Sequence, residues 1–170
     1  FEREVAGERI RDKIAASKRK GMWMGGVAPV GYKIEYGQLV PEPNEISTAR
    51  LIFDRYLALG NVRELVQELK AKGITSPQRK SLKGNPMGGH HFTRGALYAI
   101  LRNSAYIGKI RHKNQIHEGL HEGIIDPDLW HNVQTLLDKN QVKHQQGPGS
   151  KALLKSLIYD PDGVPYSPTF

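Results

Sequence analysis

From Leu69 to His117 the chain has no Asp or Glu, yet it carries Lys70, Lys72, Arg79, Lys80, Lys83, Arg94, Arg102, Lys109, Arg111 and Lys113. Ten cations without a local carboxylate cannot be neutralised inside the segment, so the fold must leave them in water or set them against an anion. The next stretch, 118–138, reverses the pattern, with Glu118, Glu122, Asp126, Asp128 and Asp138 and no Lys or Arg. A surface charged only for solubility interleaves the two signs. Segregation on this scale points to a face turned toward a polyanion, the bland alternative being a solvated basic face. The net charge of +8 and pI of about 9.7 fit nucleic acid or an anionic membrane.

The 170 residues suffice for one domain, or for one domain and a small appendage. With 38% apolar residues and a mean hydropathy of −0.52, the composition is that of a soluble folded chain. No run approaches the ~18 apolar residues that a membrane helix needs. The absence of Cys excludes disulfides and thiolate zinc sites and suits a reducing, cytoplasmic setting. The chain opens on Phe1 within a helical pattern, which reads as a piece of a longer protein with no signal peptide at this point.

Residues 1–20 read as a helix with a thin apolar stripe of Phe1, Val5, Ile10 and Ile14, closed by Lys18, Arg19, Lys20 and Gly21. Too polar to bury itself, it must cross between domains or lie on a partner. A Gly/Pro-punctuated connector follows, then a short hairpin turning at Tyr36-Gly37. The next helix is expected to be capped by Asn44 and packed through Ile46, Ala49, Ile52, Phe53, Tyr56 and Leu57 up to Gly60. Asn61 and Glu64 resemble a capping box for a helix packed through Val62, Leu65, Val66 and Leu69 and stopped by Gly73. Thr75 to His91 reads as a long cationic loop. A third helix, Thr93 to about Asn103, buries Leu97, Ile100 and Leu101 and carries Arg94, Tyr98 and Arg102 along another ridge. Lys109, Arg111 and Lys113 then alternate as one face of a strand, with a return strand expected near Gly123 to Ile125. Asp126 and Pro127 open the last helix, packed through Leu129, Val133, Leu136 and Leu137.

This order predicts a mainly α fold with short β-hairpins: a winged helix-turn-helix-like domain preceded by a long helix and linker. Five segments are expected: helix 1–20, linker and hairpin 21–43, the main domain 44–140, a linker 141–150, and the start of a ribbon-like element 151–170. In a winged helix-turn-helix the second helix meets base edges with its N-terminus. Thr93, Arg94 and Gly95 stand there, and Arg94 could pair bidentately with guanine. Tyr98 and Arg102 would meet phosphate or sugar, while Lys109, Arg111 and Lys113 hold the backbone. Arg79, Lys80 and Lys83 of the cationic loop join this set, for roughly 6–10 neutralised phosphates in all. Each residue has a plain rival reading. Arg94 and Arg102 could be helix surface charges, Tyr98 could pack on the hairpin, and Trp23 and Trp130 read as local packing anchors. His117 and His121 do not make a metal site. No Walker loop, HExxH or GxSxG is present, and no serine has a nucleophile's surroundings, so no catalytic residue, metal or cofactor is expected.

Residues 1–14 and 20–32 resemble the end of the long helix and its exit linker in large serine recombinases. Phe92 to Lys109 resembles that family's recombinase-domain signature, and Ile124 to Trp130 its closing helix; the similarity spans roughly residues 1–155. The resemblance implies a site-specific recombinase whose catalytic serine lies in a separate N-terminal domain, so that this portion binds DNA without cleaving it. It further implies DNA contacts at Lys18, Arg19, Lys20, Gly25 and Gly26, and self-association through the catalytic domain. Many members continue into a zinc ribbon that begins Cys-x-x-Cys-Gly. Here Tyr159 and Asp162 stand at the cysteine positions, which puts zinc in doubt. A winged-helix transcription regulator and a basic RNA-binding protein remain as alternatives, although no RNP1-like strand is present.

Overall fold

A computed structural model describes residues 2–80, 84–113, 115–141 and 161. The chain divides into two units, Phe1–Asp138 and Lys139–Phe170. The second falls almost wholly outside the described residues, as does the expected Tyr159–Asp162 site.

Helix α1 (Glu2–Arg19) ends as the sequence predicts. Gly21 takes a φ of +77°, and Met22 N–H reaches Ser17 O at 3.1 Å, closing the last turn. Strands β1 (Tyr32–Glu35) and β2 (Gln38–Pro41) pair antiparallel about the Tyr36-Gly37 turn. Helix α2 (Pro43–Leu59) starts two residues earlier than expected. Pro43 supplies the preset first φ, Glu42 is the cap, and Asn44 sits exposed inside the first turn. Ala49, Ile52, Phe53 and Tyr56 are buried, but Leu57 faces solvent. Gly60 closes α2 in the left-handed region and Asn61 opens α3 (Val62–Ala71), its side chain accepting from Arg63 N–H at 2.8 Å. Arg55 grips Glu68 of α3 through both carboxylate oxygens with three hydrogen bonds, and Lys72 adds a fourth. These partners hold the Glu68 carboxyl down at about 2.

The segment expected to be a loop is a two-stranded arm. β3 (Arg79–Lys80) pairs with β4 (Pro86–Met87), and a Thr75–His91 bridge closes its base. The composition concealed this, because Pro77, Pro86 and the glycines at 84, 88 and 89 signal turns while the pairing uses only two residues a side. α4 (Arg94–Leu101) follows, capped by Thr93 Oγ1, which accepts from Ala96 N–H at 3.2 Å. After a 3-10 turn, Ser104–Ile107, strand β5 (Lys109–His112) pairs with β6 (Gln115–Glu118). The return strand therefore lies earlier than Gly123–Ile125. Lys113, at a φ of +52°, begins a tight turn, so the partner strand starts at Gln115. Ile124 and Ile125 are instead buried in the loop leading to α5 (Pro127–Lys139). Asp126 caps α5 as expected, accepting from Asp128 and Leu129 N–H at 3.0 and 3.1 Å.

The fold is thus mostly helical with three short antiparallel strand pairs among the described residues. Its core joins Tyr32, Phe53, Leu65, Leu97, Tyr106 and Val133 from successive elements. Each fully buried side chain of this size contributes about 1.5–3 kcal/mol. Tyr32 ties the parts together. Its Oη lies 3.1 Å from Ala105 O and 2.9 Å from Glu122 O and accepts from Ile124 N–H at 3.2 Å. Among the described residues no helix is long and apolar enough to cross a membrane.

Candidate nucleic-acid interface

α4 separates its two sides cleanly. Leu97 and Leu101 have no exposed surface and set the helix on α2 and α3, which leaves Arg94, Gly95 and Tyr98 exposed. Thr93 stays in place through its cap bond, so its hydroxyl is already committed to the helix. Arg94 has no ion-pair partner among the described residues, and Tyr98 is 48% exposed. An exposed guanidinium in the first turn of a short, well-seated helix can reach a base edge or a phosphate.

Arg102 behaves differently from its ridge neighbours. It donates to Asp138 Oδ1 at 2.5 Å and to Gln134 Oε1 at 3.2 Å, so its guanidinium joins α4 to α5. The acidic stretch that follows the cationic one supplies this internal partner. Arg79 is also drawn inward: it donates to Ala28 O, Pro29 O, Tyr32 O and Glu45 Oε2, joining β3 to the connector and to α2. The Arg79 pair is mostly buried, whereas the Arg102 and Asp138 side chains stay 38% and 64% exposed. Of the other arm cations, Lys80 is exposed and Lys83 lies outside the described residues.

The cations of α1 and of the β5–β6 hairpin, distant in sequence, are brought together. α1 packs on both hairpin strands, and Lys18, Lys109 and Arg111 line a cleft of about 200 Å³. Trp23, Gly25 and Asn103 complete its walls. Lys109 lies 3.7 Å from Glu118, which is itself 85% exposed. Arg111 is exposed, and Lys113 projects from the turn instead of continuing the strand face. Arg19 and Lys20 are exposed at the end of α1. Gly25 and Gly26 are exposed, and added Cβ atoms would meet nothing within 4 Å, so bare backbone faces outward there.

His112 stands among these charges. Burial, then Lys18, Lys113, His117 and Arg19, push its pKa down. His121 is buried, its Nε2 2.8 Å from Ala105 O, and burial lowers its pKa as well. No cluster of metal-ligating side chains occurs among the described residues. A larger hollow of about 950 Å³, between the connector, β1 and the arm, is lined partly by Glu42 and Glu45. Lys33, Arg79 and Lys80 line it as well, with Lys33 3.7 Å from Glu42 and Arg79 paired to Glu45. The sequence does not place Trp23 and Asn103 beside these cations, since only the fold carries them to the cleft. A Trp inside a Gly-rich connector was the one available signal.

The protein-family model described as Recombinase matches residues 43–140, more than half of the chain. The chain belongs to the Recombinase family. Two solved structures share the fold of this recombinase chain. One, described as the crystal structure of an LSR–DNA complex, matches with a TM-score of 0.66 at 20% identity over 86% of this chain and 44% of that one. The other, from work on the sequence requirements of the Listeria innocua prophage attP site, matches at 0.62 and 20% over 90% of this chain and 58% of that one. This recombinase chain therefore spans about half the length of the structures it matches.

Proposed function

We propose that this chain is the DNA-binding part of a large serine recombinase, which sets a separate serine catalytic domain on its attachment site. The carrying observation is the division of α4, which buries Leu97 and Leu101 while presenting Arg94 and Tyr98 to solvent. In this reading α4 enters a groove of the duplex in the manner of a recognition helix. The β5–β6 hairpin acts as a wing on the backbone, and α1 with the Gly25-Gly26 connector lies along the neighbouring DNA. Residues 44–140 form the reading module, and self-association belongs to the catalytic domain of the full protein. No residue here performs the strand cleavage.

A salt-titrated binding assay tests the proposal, using duplexes from the ends of the element that encodes the protein. Affinity should fall steeply with salt, and the cognate duplex should outcompete random duplex by about 10³-fold or more. Equal competition by random DNA, or by double-stranded RNA, would remove the proposed role.

A further inference from the structure

We infer that the cleft between α1, the Trp23–Gly25 connector and β5 seats a single backbone phosphate of the bound DNA, gripped jointly by Lys18 and Arg111 with Lys109 beside them. The inference rests on the DNA-binding reading and deepens it. That reading treats the helix and the hairpin as two separate contacts, whereas the fold makes them one site.

The cleft's composition carries the argument. It is lined by Lys18, Lys109 and Arg111 and by no Asp or Glu. Among the described residues the carboxylate paired with its cations is Glu118, which lies 3.7 Å from Lys109 and remains 85% exposed, too wet to neutralise three cations. Arg19 and Lys113 add charge to the same region, and burial first, then Lys18, Lys113, His117 and Arg19, hold His112 toward its neutral form. Packing like charges together costs stability in the free protein. Nothing inside the described residues offsets that cost, whereas a phosphate does. The size agrees. At about 200 Å³ the cleft falls below the roughly 300–1,000 Å³ typical of small-molecule pockets and is on the scale of a phosphodiester with its sugar.

The site is also held in shape. Gly21, at the exit from α1, abuts the end of β6: its carbonyl accepts from Leu120 N–H at 3.0 Å, and an added Cβ would stand 2.5 Å from Glu118 O. Lys18 is thereby fixed in register with β5. A phosphate in the cleft touches helix, connector and hairpin at once, so binding DNA fastens the connector to the reading domain.

A double-substitution cycle tests this on the full chain with a random-sequence DNA duplex, since a phosphate contact is independent of sequence. Lys18→Gln and Arg111→Gln should each weaken binding about tenfold and shallow the salt slope by about 0.9. The pair together should lose little more than either alone, because both remove the same phosphate. Arg111→Lys should retain most of the affinity, and thermal melts confirm that each variant is folded. Multiplicative losses with a slope change of about 1.8 mean two separate phosphates and overturn the shared seat. Unchanged affinity and slope in both single variants overturn it as well. Either result leaves the DNA-binding reading standing, whereas a wild-type chain without salt-dependent binding to any duplex removes that reading first.

Discussion

Arg79 and Glu45, 34 residues apart, meet at 2.5 Å with side chains only 20% and 18% exposed, and the same carboxylate accepts from Gly31 N–H at 3.0 Å. This pair ties the β3–β4 arm, the connector and the start of α2 into one node. Removing one member strands the other in a mostly dry site. Arg79→Ala should therefore cost about 2–4 kcal/mol of stability, while Arg79→Met with Glu45→Met costs less than the two single changes summed. Denaturant titration reads both values. A single-variant loss under about 0.5 kcal/mol would show that the node holds nothing together.

Arg94, which opens α4, and Arg102, its C-cap, should separate in their effects. Arg94 is exposed and without a partner among the described residues, so Arg94→Ala should leave the melting curve in place. It should lower discrimination between cognate and random duplex by about 1–3 kcal/mol. Arg102 bridges to Asp138, which is 64% exposed, so Arg102→Ala should cost no more than about 1 kcal/mol of stability and leave discrimination intact. Parallel melts and competition assays check both. Equal loss on both duplexes would make Arg94 a phosphate contact.

The contrast between these arginines shows what the sequence could convey. Helical periodicity revealed the buried sides of α3, α4 and α5, because Val62, Leu65 and Leu69, Leu97 and Leu101, and Val133 and Leu137 stand three or four residues apart within their own helices. Capping chemistry at Asn61, Thr93 and Asp126 is local and was equally legible. Long-range pairing was not. The partner of Arg102 is separated from it by 36 residues and that of Arg79 by 34, and no pattern in a single chain specifies which distant carboxylate a guanidinium will meet. The β3–β4 arm escaped for a related reason, since two residues a side leave no alternation to read. The convergence of Lys18 with Arg111 likewise depends on how α1 docks. Two cations of the acid-free segment, Lys109 and Arg111, line the cleft with Lys18, while the fold ties Arg79 and Arg102 to distant carboxylates.

Gly21 is the position where a single methyl group should disturb that docking. Its φ of +77° disfavours any L side chain, and an added Cβ would stand 2.5 Å from Glu118 O and 2.9 Å from Leu120 N. These atoms are backbone and cannot swing aside. Gly21→Ala should cost about 1–3 kcal/mol and loosen α1 from the hairpin. Hydrogen exchange should rise at Leu120 N–H, which donates to Gly21 O. Gly26→Ala, also at positive φ but with open space around it, should cost less. Equal effects of the two would mean that strain alone, without the clash, governs Gly21.

Acid should destabilise the fold through His121. Burial lowers its pKa from the ordinary 6.5, so the folded chain holds it neutral where the unfolded chain already binds a proton. The stabilising contribution is therefore full above about pH 6.5 and is lost as pH falls through the depressed folded-state value. His112, lowered by burial and by Lys18 and its cationic neighbours, acts in the same direction. Urea titrations at about pH 7.5 and about pH 5 should show wild-type stability falling across the interval. His121→Gln should give a lower starting value and a shallower fall, since a neutral amide has no proton to gain. An unaltered pH slope in His121→Gln would place the acid sensitivity elsewhere. Bound duplex should oppose the fall, because a phosphate beside His112 favours its protonated form and offsets the repulsion from Lys18.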